Sequence, residues 1–226
     1  MPVHLAVFSG VSRSVKDNGF EVMGFKQGEE RMTGSAALVS IQTATCRRVK
    51  MGERSVLTAF GKQPVSGDVA VMPLGLLGDE QADLSVHGGL EKAVYAYPSE
   101  HYAFWKNARV EAGVCPFDDR LPYGGLGENL TLQGLLENDV WAGDVLRFAN
   151  CELKVTLPRE PCYKFNAVMG FARASRLMAQ SGFCGFYLSV VRPGTLRAGE
   201  SFELVPGRRG VSITQLFAAK MSKHLR

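Results

Sequence analysis

The stretch Asp144-Val145-Leu146-Arg147-Phe148-Ala149-Asn150-Cys151-Glu152-Leu153-Lys154-Val155-Thr156-Leu157 decides the fold class. Asp144–Ala149 and Glu152–Leu157 each alternate apolar and polar side chains at period two, the pattern of a strand with one buried face. Ala149-Asn150-Cys151 between them reads as a hairpin connection. Working outward, Leu38–Ile41, Ser55–Phe60, Val69–Met72, Gly185–Val191 and Ser201–Val205 are short apolar runs bounded by Gly, Pro and Asp, and read as further strands. Helical spacing predicts one helix from Ser99 to Gly113 and a second from Asn166 to Ser181, stopped by Gly182. Strands that do not alternate with helices predict a β-rich α+β fold, a barrel or sandwich rather than a doubly wound sheet.

Three segments are expected. Residues 1–37 form an N-terminal extension of unknown role, with glycines, scattered charges and no sustained period. Residues 38–206 hold the strands and form one domain. Residues 207–226 are a tail, in which the basic connector Gly207-Arg208-Arg209-Gly210 precedes a helix from Ser212 to Met221. A single short helix cannot bury its own apolar face, so this one docks on the rest or has lost its partners.

The 226 residues are 46% hydrophobic and 21% charged, which excludes disorder, collagen and coiled coil as descriptions of the whole. Twenty-six Lys and Arg stand against 22 Asp and Glu, a balance of +4. That excess gives no reason to invoke nucleic acid, and suits an anionic small molecule if the charges cluster. The longest apolar stretches, Val69–Gly78 and Gly182–Val191, fall well short of the roughly 20 residues of a spanning helix. Without a signal-peptide pattern, the expectation is a cytoplasmic protein with neither membrane nor nucleic acid as partner. The five cysteines include no C-x-x-C pair, which argues against a zinc ribbon and for reduced thiols.

Three clusters hold residue types that carry chemistry. In Gly78–Lys92, the groups Asp79, Asp83, His87 and Lys92 can move protons, ligate metals or hold an anion, and Gly88-Gly89 admits close backbone approach. A solvated loop capped by acids accounts for the same residues. In Tyr123–Asn129, Gly124, Gly125 and Gly127 can turn backbone amides toward a phosphate, although no Gly-Lys-Ser/Thr follows and a flexible turn explains them equally. In Leu157–Lys164, two prolines stiffen the approach to Cys162, which lies between a strand end and a helix start with Arg159 and Lys164 nearby. Such surroundings favour thiolate, the form that attacks sulfur compounds or binds a soft metal. A buried structural cysteine, or a Cys–His protease with His87 or His101 as base, compete with that reading.

In this order the clusters resemble the MOSC domain, and within it the YiiM-like bacterial branch, from about Val39 to Val205. The resemblance is carried by Gly61-Lys62-Gln63-Pro64-Val65, Gly78-Asp79-Glu80-Gln81-Ala82-Asp83, Val86-His87-Gly88-Gly89, Lys92-Ala93-Val94, Tyr97-Pro98-Ser99-Glu100-His101-Tyr102, Gly127-Glu128-Asn129-Leu130-Thr131, Gly143-Asp144 and Pro158-Arg159-Glu160-Pro161-Cys162-Tyr163-Lys164. It implies a MOSC-type β-barrel with a few flanking helices and a short C-terminal helix. It also implies binding of the molybdenum cofactor (Mo-molybdopterin), with Cys162 as molybdenum ligand. The implied reaction reduces N-hydroxylated compounds such as 6-N-hydroxylaminopurine. In sulfurase relatives the domain is instead thought to deliver sulfur, so a non-turnover carrier using a Cys162 persulfide is the alternative.

From chemistry at the motif positions, Arg159, Lys92, Gly125, Gly127, Glu128 and Asn129 are expected to hold the cofactor's anionic and polar edges. His87, Asp79 or Asp83 are expected to position substrate or supply protons. No G-x-G-x-x-G follows a strand, so the electrons are expected from a separate reductase. The oligomeric state is open, a homodimer included. Relatives in this branch carry a three-helix module after the barrel, where this chain shows one helix.

Overall fold

The computed structural model describes residues 36–82, 88–115 and 121–224. The expected N-terminal extension lies outside them, apart from its last two residues. The described elements are, in chain order, β1 (Ala37–Thr43), β2 (Arg47–Met51), β3 (Arg54–Thr58), β4 (Gln63–Pro64), β5 (Val69–Met72), β6 (Gly75–Leu76), β7 (Val94–Pro98), α1 (Tyr102–Glu111), β8 (Leu130–Gln133), β9 (Val145–Arg147), β10 (Glu152–Pro158), α2 (Tyr163–Met169), α3 (Ala174–Ser181), β11 (Phe186–Arg192), β12 (Gly194–Leu196), β13 (Glu203–Val205) and α4 (Ile213–His224).

The alternating stretch forms the expected hairpin. β9 and β10 pair antiparallel with Arg147 opposite Glu152, and the Phe148 amide donates to the Cys151 carbonyl at 3.0 Å. From there the main sheet grows in the order β13-β9-β10-β11-β7-β8-β1-β4. β7 and β8 are parallel, and the other pairs of this sheet are antiparallel. A three-stranded sheet β12-β5-β6 and the ribbon β2-β3 complete the strands. The described residues are β-rich, as expected, with four α-helices. Of the expected barrel, the strand order shows this much: no ladder joins β13 to β4. Where β1 returns toward β13, it makes the bridge Ala37–Ser201, supported by Leu38 N to Glu200 O (2.8 Å) and Gly199 N to Leu38 O (2.7 Å).

The core sits between the main sheet and the helices. Trp105, Tyr97, Phe165, Phe186 and Leu130 are among its fully buried members. Trp105 Nε1 donates to Tyr97 Oη (2.5 Å), which donates to the Phe183 carbonyl (3.0 Å), so the polar ends of both rings are satisfied inside. The C-terminal helix docks: Ile213 and Phe217 of α4 are buried in this core.

The helix expected from Asn166 to Ser181 is corrected: it is two helices. Gly170 ends α2 in the left-handed region (φ 79°), and Gly182 ends α3 the same way (φ 74°). A side chain at 170 would come within 2.9 Å of Val114 Cγ1, so the break is packed against and not merely allowed. The first of these helices starts at Tyr163, earlier than expected, which makes Cys162 its N-cap residue.

Candidate functional site

A cleft opens where β3, the loop before β4, β7, β10 and β11 converge. Among its lining residues are Thr58, Phe60, Lys62, Asp79, Lys92, Tyr95, Arg159, Lys164 and Tyr187. Arg159 follows β10, the strand the alternating pattern specified, and is almost fully buried. Its guanidinium lies over Phe165 (4.8 Å to the ring centroid), Tyr95 (5.0 Å) and Phe60 (5.4 Å). Its Nη1 donates to the Leu126 carbonyl at 2.6 Å. Rings on several sides and a carbonyl acceptor hold a permanent charge in a dry place, where it acts over longer range than in water.

Cys162 follows three residues later, partly exposed. Its carbonyl accepts from Phe165 N (2.9 Å) and from Ser175 Oγ (3.0 Å), which fixes the backbone under the thiol from both α2 and the start of α3. The sulfur is near enough that its charge bears on Arg159 and on the Tyr187 phenol. Burial holds that phenol above its ordinary range; Arg159 opposes this, and Cys162 and Glu160 add to it. Lys92 stands 5.7 Å from the Tyr187 ring centroid.

Asp79 is fixed by two contacts: its Oδ1 accepts from the Ala44 amide (2.9 Å) and pairs with Lys62 Nζ. Both side chains of the pair are nearly buried, at 8% and 5% exposure. Burial lowers the proton affinity of Lys62, and Asp79 works against that shift. Lys62 thus presents its Nζ at the cleft wall, held in place by Asp79. The sequence reading gave Lys62 no role, although Gly61-Lys62-Gln63-Pro64 was among the motifs that could have drawn attention to it. Phe60, Tyr95 and Tyr187 were missed because an aromatic at strand spacing reads first as core.

The glycine turn is corrected most. The Gly124 and Leu126 amides donate to Glu128 Oε1 (2.7 Å) and Oε2 (3.2 Å), Gly125 N to Pro122 O (2.9 Å), and Gly127 N to Gly124 O (2.9 Å). Tyr102 Oη and Thr131 Oγ1 (3.1 Å) also donate to the Glu128 carboxylate. The turn is a nest, and the anion it holds is its own glutamate. Glu128 and Gly125 do not line the cleft, whereas Gly127 and Asn129 do. Asn129 is also engaged within the protein: its Oδ1 accepts from Tyr95 N (3.1 Å) and its Nδ2 donates to Gln42 O (3.2 Å), tying β7 to β1. Gly127 (φ 90°) must lack a side chain, because a Cβ there would sit 2.6 Å from Phe60 Cε1.

Arg159, Lys92, Asp79, Gly127 and Asn129 thus line one cleft, and the Cys162 sulfur lies close enough to two of its lining residues, Arg159 and Tyr187, to act on their charge. His87 and Asp83 lie outside the described residues. His101, the other candidate base, is buried, stacks on Phe183 (3.8 Å between centroids) and meets Glu137 Oε2 at 2.8 Å. Among the described residues, no group of three His, Cys, Asp or Glu could by itself hold a metal ion. A metal here would need ligands from a cofactor. The donor set suits an anionic, pterin-type one: the cations Lys92, Lys164 and Arg159 and the rings of Phe60, Tyr95 and Tyr187 line the cleft, with the Cys162 thiol near Arg159 and Tyr187.

Comparison with known proteins identifies the family. Residues 83–203 match the model of the MOSC domain. Protein YiiM of Escherichia coli (strain K12) is 36% identical over 171 residues, covering 74% of this chain and 72% of that one. A protein named Reductase from Gibberella moniliformis (strain M3125 / FGSC 7600) is 32% identical over 161 residues, 70% of this chain but 28% of its own length. The crystal structure of YiiM from Geobacillus stearothermophilus superposes with a TM-score of 0.66 at 28% identity, covering 84% of this chain and 86% of that one.

Proposed function

Because the chain belongs to the MOSC domain family, we propose that it is a cytoplasmic molybdenum-cofactor enzyme that reduces N-hydroxylated compounds with electrons from a separate protein. The observation that carries this reading is Cys162, set at the start of α2 beside the buried Arg159 and a cleft whose walls bear Lys62, Lys92 and Lys164. Reduction of an N-hydroxyl group consumes two electrons and two protons: the N–O bond breaks, and an amine and water leave. When bound, the cofactor would supply the metal that exchanges those electrons.

The chain's own residues do the rest. The Cys162 sulfur is the soft ligand the metal requires. Lys92, Lys164 and Arg159 would neutralise the cofactor's anionic groups, Arg159 from a place set by the three rings around its guanidinium. Lys62 Nζ, held by Asp79, releases a proton toward the departing hydroxyl, the role expected of Asp79 itself. Tyr95 and Tyr187 stay protonated and close the cleft floor against water.

The test is protein made in a host that synthesises the cofactor, analysed for molybdenum and pterin and assayed on 6-N-hydroxylaminopurine with reduced methyl viologen as donor. Wild type should carry metal and turn over; Cys162→Ala should keep the fold and lose turnover. Undiminished turnover by Cys162→Ala overturns the mechanism. A metal-loaded, inactive protein with an extra sulfur atom on Cys162 by mass spectrometry establishes the carrier instead.

A further inference from the structure

Arg147, Arg192, Arg197, Arg209 and Lys220 each have a carboxylate within ion-pair distance. A group of cations on neighbouring elements does not. Arg48, Lys50 and Arg54 on the β2–β3 ribbon, Lys164 on α2, and Arg173 and Arg176 beside and on α3 make no ion pair among the described residues. All but Lys164 are exposed. The sequence accounts for the imbalance: Glu53 is the one acid within the ribbon, and from Pro161 to Gly199 there is no Asp or Glu at all.

Lys50 lines a groove between the ribbon and α2, and the other cations lie on or beside the elements flanking it. Its floor is apolar, made by Val49, Met51, Val168 and Phe171, and Tyr163 stands at its side, 58% exposed. Tyr163 is the residue after Cys162, and Thr58 at the end of β3 lines the cleft, so the elements that form the groove also reach the cleft. An apolar surface containing Tyr, Phe and Met, with cations on the neighbouring elements, has the composition of a protein–protein contact. A surface for duplex nucleic acid would present cations to phosphates without that apolar floor.

We infer that the groove between the β2–β3 ribbon and α2 is the docking surface for an acidic electron-donor protein. The inference rests on the reductase reading above, in which two electrons must arrive from outside a chain that shows no flavin or dinucleotide fingerprint. Charge complementarity selects the donor: unpaired cations around the groove attract a carboxylate-rich face and speed the encounter, while the apolar floor sets how long the complex lasts.

The experiment measures binding of flavodoxin, an acidic flavoprotein, to the full chain by calorimetry, with turnover driven separately by flavodoxin and by methyl viologen. Affinity should weaken about tenfold or more between about 25 and about 300 mM KCl. The triple change Arg48→Glu, Lys50→Glu, Arg54→Glu should weaken binding by at least about tenfold at low salt and raise KM for flavodoxin, with viologen-driven turnover retained. Tyr163→Ala should weaken binding without changing its salt dependence, and Lys106→Glu on α1 should have no effect. Thermal unfolding confirms that each variant is folded. Binding indifferent to the triple change, or single-stranded RNA bound more tightly than flavodoxin, overturns the surface. Absence of viologen-driven turnover in metal-loaded wild type instead overturns the reductase reading, and the donor assignment falls with it.

Discussion

Glu128 shows how a residue type can be read correctly as special and wrongly as to what it does. Its motif, Gly127-Glu128-Asn129, is plain in the sequence, and glycine amides beside a charge suggest a ligand. Whether those amides face outward depends on a carboxylate in their own loop, which spacing does not reveal. Burial raises the Glu128 carboxyl above its ordinary 4.5, against the hydrogen bonds that favour the charged form. The folded state therefore holds this proton more tightly than the unfolded one. The resulting stability is complete below about 4.5 and is lost as pH rises through the raised folded value. Urea unfolding across that range should show wild type weakening with pH and Glu128→Gln flat. Glu128→Gln should also be less stable throughout by about 1–3 kcal/mol, because an amide group would meet donors on every side. Gly127→Ala, forced against Phe60 at positive φ, should lose a similar amount and disturb the cleft wall, read as weaker retention of cofactor.

At the level of elements, legibility followed burial. β9 and β10 showed period two because each exposes one face, and β5 was read with its observed ends, Val69–Met72. β7 escaped because Val94–Pro98 is buried on both faces, leaving no alternation to see, and its partner β8 has three of four residues buried. β2 escaped for the opposite reason: Arg47–Met51 is largely exposed, and among the described residues it pairs with β3 alone. The helix break at Gly170 was hidden because apolar spacing continues through it, while the cause, Val114, is remote in sequence. That break belongs to the site, since it lets α3 turn back and place Ser175 Oγ on the Cys162 carbonyl. Gly170→Ala at φ 79° against Val114 should cost about 1–3 kcal/mol in urea unfolding. It should also alter the rate at which the Cys162 thiol reacts with a disulfide reagent, a readout that a helix remote from the site would not move.

Across the whole molecule, the question is what the C-terminal segment contributes to a sheet that already holds the cleft. Asp144, fully buried, accepts from Trp141 N (3.1 Å) and Gly207 N (2.7 Å) and pairs with Arg209 at 3.4 Å, and Arg209 in turn stacks on Trp141 (4.4 Å). The motif Gly143-Asp144 is thereby a clasp on the connector, not part of the cleft. Past the clasp, Ile213 and Phe217 enter the core, and Lys220 pairs with Glu160, two residues before Cys162. The two contacts differ in kind. Lys220 and Glu160 are about a third exposed, so Lys220→Ala should cost no more than about 1 kcal/mol. Removing Asp144 strands two amides and a partly buried guanidinium at once, and Asp144→Ala should cost about 3–5 kcal/mol. Asp144→Asn, which keeps one acceptor, should recover part of that loss. If the clasp is what seats α4, brief proteolysis should cut Asp144→Ala between Pro206 and Ser212 while leaving Lys220→Ala intact. Equal protection of both variants would mean that Ile213 and Phe217 hold the helix by themselves.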